Sequence, residues 1–115
     1  MLFLLLGVVV LAASVPIALA ATRPAQAART NIGVSGKEFK FKLSSSSARH
    51  GSITFRFTNK GTLKHDFKID GKKTPVIRPG KSASITVSLS RGSYKYICTV
   101  KGHARNGMRG TFRVR

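Results

Sequence analysis

From about residue 30 onward the chain alternates apolar and polar positions in short runs of period two, the pattern of half-buried β-strands. Ile32 and Val34 share a face in the first run. Phe39, Phe41 and Leu43 alternate with Lys40 and Lys42 in the second. Ile53, Phe55 and Phe57 mark a third, which ends at Asn59-Lys60-Gly61. His65, Phe67 and Ile69 share parity in the fourth, so His65 is expected on the core side at the strand's end. Ile85, Val87 and Leu89 form the fifth, Tyr94, Tyr96 and Cys98 the sixth, and Phe112 and Val114 the last. Between them, Ser44 to Ser47 reads as a solvated turn. Asp70-Gly71 and Arg91-Gly92 are turn signals, and 72–81, with Pro75 and Pro79-Gly80, reads as a loop. Seven short strands with closely spaced turns predict an all-β fold, a Greek-key β-sandwich. Long helical periodicity and internal repeats are absent.

Residues 1–27 break this pattern. An apolar run over residues 2–13 continues with little polarity to Ala21. Ala18-Leu19-Ala20 and Ala25-Gln26-Ala27 both fit the small-x-small cleavage site of a secretory signal, although no Lys or Arg precedes Arg23. The alternative is an uncleaved membrane anchor, since about twenty apolar residues can just span a bilayer. Either way the segment precedes a single domain, residues 28–115, placed outside the cytoplasm: periplasmic, cell-surface or extracellular. Residues 22–30, with Pro24, read as a short linker.

The candidate chemistry is confined to one stretch near the end, Tyr-Ile-Cys-Thr-Val-Lys-Gly-His-Ala-Arg-Asn-Gly-Met-Arg-Gly, residues 96–110. Cys98 is the only cysteine, which excludes an internal disulfide, and Met108 is the only methionine besides Met1. With His103 they make a Cys-x4-His-x4-Met spacing. Singly, each is most simply a core or surface residue. Together on one Gly-rich loop, a thiolate, an imidazole and a thioether suit copper. Two histidines and one cysteine with a weak axial methionine form a blue-copper site, and His65, in Lys-His-Asp-Phe, is the expected supplier of the second imidazole. His50 reads as a surface residue.

This ligand stretch resembles that of the cupredoxins, the plastocyanin, azurin and rusticyanin group of small blue copper proteins, over roughly residues 30–115. The Cys-x4-His-x4-Met spacing is nearest to the rusticyanin type, and Gly-His-Ala-x-x-Gly-Met-x-Gly to plastocyanin-like domains. The interval from His65 to Cys98 is short for such a fold. The resemblance implies one copper ion per chain cycling between Cu(I) and Cu(II), with His65, Cys98 and His103 as equatorial ligands and Met108 as the axial one. It also implies that His103 shows an edge to solvent as the electron's exit, among the small residues Gly102, Ala104 and Gly107. Two positions depart from the family pattern. Asp66 stands where Asn is common, and is expected either to accept hydrogen bonds from Thr99 or to be an exposed acid offsetting Lys64 and Lys68. Lys101 stands where related loops often carry Pro.

Charge adds a partner. With 21 Lys and Arg against 3 Asp and Glu, the net charge is +18. Nucleic acid is disfavoured, because the basic residues are dispersed along the strands and no aromatic RNA-binding signature occurs. Lys101, Arg105 and Arg109 on the loop, with Lys64 before the first ligand, are expected to rim a docking face for acidic redox proteins. Lys40 and Lys42 read as charges remote from that face. An anionic surface or membrane tether is also compatible with the charge, and the protein is expected to act as a monomer. The function expected is single-electron transfer, with copper storage or delivery as the alternative. Enzymatic readings fail on the residues: a trinuclear copper centre needs His-x-His pairs and a His-Cys-His run, a binuclear centre two loop cysteines, and a cysteine-based zinc site two to four cysteines.

Overall fold

The computed structural model describes residues 7–10, 12 and 29–115. Nine strands follow in order among them: β1 (Arg29–Lys37), β2 (Lys40–Leu43), β3 (Ser47–Ala48), β4 (Gly51–Asn59), β5 (Lys68–Ile69), β6 (Lys72–Lys73), β7 (Ser82–Leu89), β8 (Gly92–Ile97) and β9 (Arg109–Val114). They form two mixed sheets, in the orders β2-β1-β4-β7 and β3-β9-β8-β5-β6. The fold is the expected all-β sandwich. The signal or anchor expected over residues 1–27 falls largely outside the described residues, among which no helix is long and apolar enough to cross a membrane.

Alternation along each long strand explains the two layers. Ile53, Phe55 and Phe57 are fully buried, while Thr54 and Thr58 face outward and meet Thr86 and Ser82 across the strand pair at 2.8 Å. From the other sheet Phe67, Ile69, Phe112 and Val114 close on them. Phe55 lies 5.3 Å from Phe67 and 5.2 Å from Phe112 between ring centroids. Each buried phenylalanine contributes about 1.5–3 kcal/mol of transfer energy, and Phe67→Ala would cost about 3–5 kcal/mol because the surrounding rings cannot fully collapse.

Two stretches read as loops are partly strand. Ser47 and Ala48 pair in parallel with Arg113 and Val114, because Ala48 is a small apolar side chain that buries there. The chain also folds back after β5. Phe67 N–H donates to Thr74 Oγ1 and Thr74 N–H to the Phe67 carbonyl, at 3.0 and 2.9 Å. Lys72 and Lys73 thereby pair with β5, and Ile77 bridges His65. These two additions, β3 and β6, account for nine strands against the seven expected. The fourth strand is correspondingly shorter than its parity suggested.

Strand direction positions the site. β1 and β4 run parallel, with Val34 opposite Phe57 and Gly36 opposite Asn59. Both therefore end on the same side, and Lys60 N–H continues the pairing to the Gly36 carbonyl at 2.8 Å. Parallel neighbours need a crossover, supplied here by β2 and the excursion of β3 into the other sheet. β8 ends on that same side, at Ile97, just before Cys98. Lys40 opens β2 opposite Lys37, so it too belongs to the site end and is not remote from it. Arg49 and Arg91 lie at the opposite end, where β4 begins and β7 gives way to β8.

Candidate metal centre

His65 is held between strands. Its backbone exchanges two hydrogen bonds with Ile77, N–H to carbonyl at 3.2 and 2.8 Å, and its side chain is fully buried. Cys98 follows β8, and the eleven residues from Cys98 to Met108 form a closed loop. His103 N–H donates to the Val100 carbonyl, Met108 N–H to the His103 carbonyl, and Cys98 N–H to the Met108 carbonyl, each at 3.0 Å. Gly102 and Gly107 carry φ of 82° and 122°, backbone that a side chain would strain. Met108 is fully buried. A Cβ on Gly36 would come within 2.7 Å of the Phe57 ring and 3.3 Å of Met108 Cε, so glycine at the end of β1 makes room for the thioether.

The structure brings His65, Cys98 and His103 together, with their ligand atoms all within 4.8 Å of one another. His65 Nδ1 is 2.9 Å from His103 Nδ1, and Cys98 Sγ is 3.9 and 3.6 Å from the same two atoms. His65 is 0% exposed, Cys98 1% and His103 8%, so only His103 keeps an edge at the surface. Phe39 packs edge-on against its ring, 5.1 Å between centroids. Burial pushes the Cys98 thiol up from its ordinary value. Burial, with the nearby His65 ring, pushes His103 down. A metal entering such a site displaces the thiol proton. One soft sulfur and two imidazole nitrogens converging in a buried triangle fit copper, and the three side chains are arranged as a copper site.

Asp66 is fully buried. Its Oδ1 accepts the Thr99 N–H at 2.6 Å, its Oδ2 accepts the Thr99 hydroxyl, and Lys73 Nζ lies 3.1 Å from Oδ2. Burial disfavours the charge, but the Thr99 bonds and the Lys73 ammonium outweigh it and hold the carboxyl below its ordinary value. The exposed acid opposite Lys64 and Lys68 is thus not what forms: parity that buries His65 would expose Asp66 in a regular strand, but the segment is irregular here. Lys64, Lys101, Arg105 and Arg109 are all exposed. His50 is exposed as well, its Nδ1 3.1 Å from the Arg115 carbonyl.

Two residues at the centre escaped the sequence reading. Glu38, just past the end of β1, accepts at Oε1 from the N–H groups of Thr62 and Leu63 at 2.8 and 2.7 Å, and lies 2.9 Å from His65 Nε2. The Leu63 bond foremost, together with the bonds from His65 and Thr62, lowers its pKa to about 2. Asn59 is fully buried. Its amide donates to the Leu63 and Ile77 carbonyls at 2.8 and 2.9 Å and accepts from Gly61 N–H at 2.9 Å. In sequence Asn59 marks only the end of a strand, and Glu38 belongs to no motif. The available signal was scarcity: Glu38 is one of just three acids in the chain.

Comparison with solved structures agrees with this architecture. Auracyanin A, described as a "blue" copper protein from Chloroflexus aurantiacus, superposes with a TM-score of 0.63 at 20% identity, over 76% of this chain and all of its own. Rusticyanin gives 0.65 at 20% identity, over 77% and 79%. A copper-containing nitrite reductase from Thermus scotoductus gives 0.61 at 14% identity, over 76% of this chain but 28% of its own. At such identities these likenesses establish the fold. No curated protein sequence matches. The family model of the cupredoxin-like domain, however, matches residues 7–113, nearly the whole sequence, and the chain therefore belongs to the cupredoxin family.

Proposed function

We propose that this protein is a mononuclear type 1 copper electron carrier, working outside the cytoplasm and exchanging single electrons with acidic protein partners. The observation that carries the reading is the burial gradient across the ligand triangle: His65 and Cys98 are sealed, and His103 alone reaches the surface. Copper, when bound, supplies a one-electron couple. Cys98 would hold the copper as its strong thiolate donor, together with the His65 and His103 imidazoles. Met108, buried and tied through its backbone to both Cys98 and His103, would hold the copper as a weak thioether donor and tune its potential. Asp66 and Thr99 fix the backbone on either side of Cys98 and His65, as partners one bond removed from a metal do. The sealing of His65 and Cys98 favours a carrier over an enzyme. Lys64, Lys101, Arg105 and Arg109, all exposed and each within two residues of a ligand in sequence, steer the partner, and residues 1–27 direct export or tether the domain.

The decisive experiment is the visible and EPR spectrum after adding Cu(II). An intense thiolate charge-transfer band with a reversible one-electron couple is expected. Weak colour and copper lost readily to an acceptor would replace electron transfer with storage or delivery.

A further inference from the structure

We propose that Glu38 is a positioning residue for the ligand His65 and holds the centre's potential down. This rests on the copper reading above. A carboxylate can only accept hydrogen bonds. With Glu38 Oε1 2.9 Å from His65 Nε2, the ring must present its N–H there, which leaves the lone pair on Nδ1, the atom that faces Cys98 and His103. One contact thus selects the tautomer and the orientation of a ligand whose other nitrogen points into the site. Carboxylate partners of this kind raise the basicity of a metal-bound imidazole.

The carboxylate is itself fixed. Its Oε1 takes the Thr62 and Leu63 N–H groups, and its side chain is 24% exposed. That arrangement follows from the parallel β1–β4 pairing, which delivers residue 38 beside residues 61–63. Charge supplies the second argument. A chain of net charge +18 favours the reduced, less positive metal and so pushes the potential up. Of its three acids, Glu38 meets one ligand and Asp66 meets the residue after another. Glu38 places a negative charge one imidazole ring from the ligand nitrogen, where it favours Cu(II) over Cu(I). Were its role only to pin the 61–63 loop, removing the charge while keeping the hydrogen bonds would leave the potential unchanged.

Three variants of the full chain separate these roles. Glu38→Gln keeps an acceptor oxygen and removes the charge. Glu38→Ala removes both. Gly61→Ala keeps the glutamate but displaces it, since a Cβ at Gly61 would come 2.5 Å from Oε1 and 2.8 Å from Oε2, the movable end of that side chain. Loss of such a partner weakens metal binding about 10- to 100-fold. Glu38→Gln is expected to keep the thiolate band and weaken Cu(II) relative to Cu(I) about tenfold, an upward shift of ~59 mV for a one-electron couple. Glu38→Ala should shift further and also lose total affinity, and Gly61→Ala should move in the same direction as Glu38→Gln. Wild-type potentials in both Glu38→Gln and Gly61→Ala, or downward shifts, overturn the proposal. Should Glu38→Gln fail to fold, Gly61→Ala decides alone. Should the wild type lack the thiolate band, the type 1 reading falls. The ratio of Cu(II) to Cu(I) affinities by chelator competition then decides for Glu38: a lower ratio in Glu38→Gln supports it and an equal ratio overturns it.

Discussion

The two halves of the copper site are held by opposite means. Beyond the Asp66 tie to Thr99, the ligand loop supports itself: His103 bonds to Val100, Asn106 to Gly102, Gly107 to Ala104 and Met108 to His103, all through backbone groups a few residues apart. The His65 half leans on distant side chains. Glu38 reaches Thr62, Leu63 and His65 across 24, 25 and 27 residues, and Asn59 reaches Ile77 across 18. Cys98 and His103 thus come from a prefabricated loop, and His65 is brought to them by the packed sandwich. Changes to the loop should alter the metal's chemistry while the fold survives, whereas changes around His65 should be felt in stability as well.

The sharpest break comes on the loop side. Cys98→Ser should abolish the thiolate charge-transfer band altogether, with the apoprotein still folded by circular dichroism, since serine fills nearly the same buried volume. A band of undiminished intensity would remove the loop from the site.

Charge reversal tests the loop's outward face. Reversing Lys101 and Arg105 to Glu should slow electron transfer with an acidic partner by about tenfold or more at low salt, within the range that steering supplies. The loss should shrink as added salt shortens the Debye length. Reversing Arg49 and Arg91 at the far end is the matched control. Stopped-flow rates across a salt series decide between a local face, with unequal losses, and net charge alone, with equal ones.

On the other side, Asn59→Ala strips a fully buried amide from the Leu63 and Ile77 carbonyls and the Gly61 N–H. Unsatisfied buried groups cost about 1–3 kcal/mol, so the copper-free protein should lose about 2–3 kcal/mol in denaturant unfolding. Asn106→Ala, at an exposed loop position, should change stability by under about 0.5 kcal/mol. Equal losses would dissolve the contrast between the halves.

Acid gives the gentlest probe. The folded pKa of Glu38 is about 2 against an ordinary 4.5. In that window the unfolded chain binds more protons, so stability rises with pH there and is lost as pH falls from about 4.5 toward 2. With only three acids in the chain, Glu38→Gln should visibly flatten the acid limb of a thermal-melting series on the copper-free protein. An unchanged limb would place the acid sensitivity elsewhere, at Asp66 first.

This contrast also explains what the sequence makes legible. The strand faces follow from period-two burial, and Cys98, His103 and Met108 announce themselves because their geometry is written in consecutive residues. His65 was reachable from parity. Glu38 was not, because its role depends on the parallel register of β1 and β4, which alternation alone does not specify. The short strands β3 and β6 were hidden for a related reason: two residues carry no period, and their pairing is decided by partners far along the chain. Asp66 shows the limit of parity itself, since both it and its neighbour His65 are buried where regular strand geometry gives way.

Pairing of Ser47–Ala48 with Arg113–Val114 joins the early part of the domain to its last strand. Contacts of such span close late, because the entropy of loop closure opposes them before they stabilise anything. Until β9 docks, the ligand loop has lost one of the two strands that bracket it, and Cys98 is an open thiol. In an oxidising medium a lone open thiol captures its counterpart on another chain. The finished sandwich therefore also guards its cysteine, and the yield of monomer on refolding should depend on how quickly β3 and β9 meet relative to oxidation.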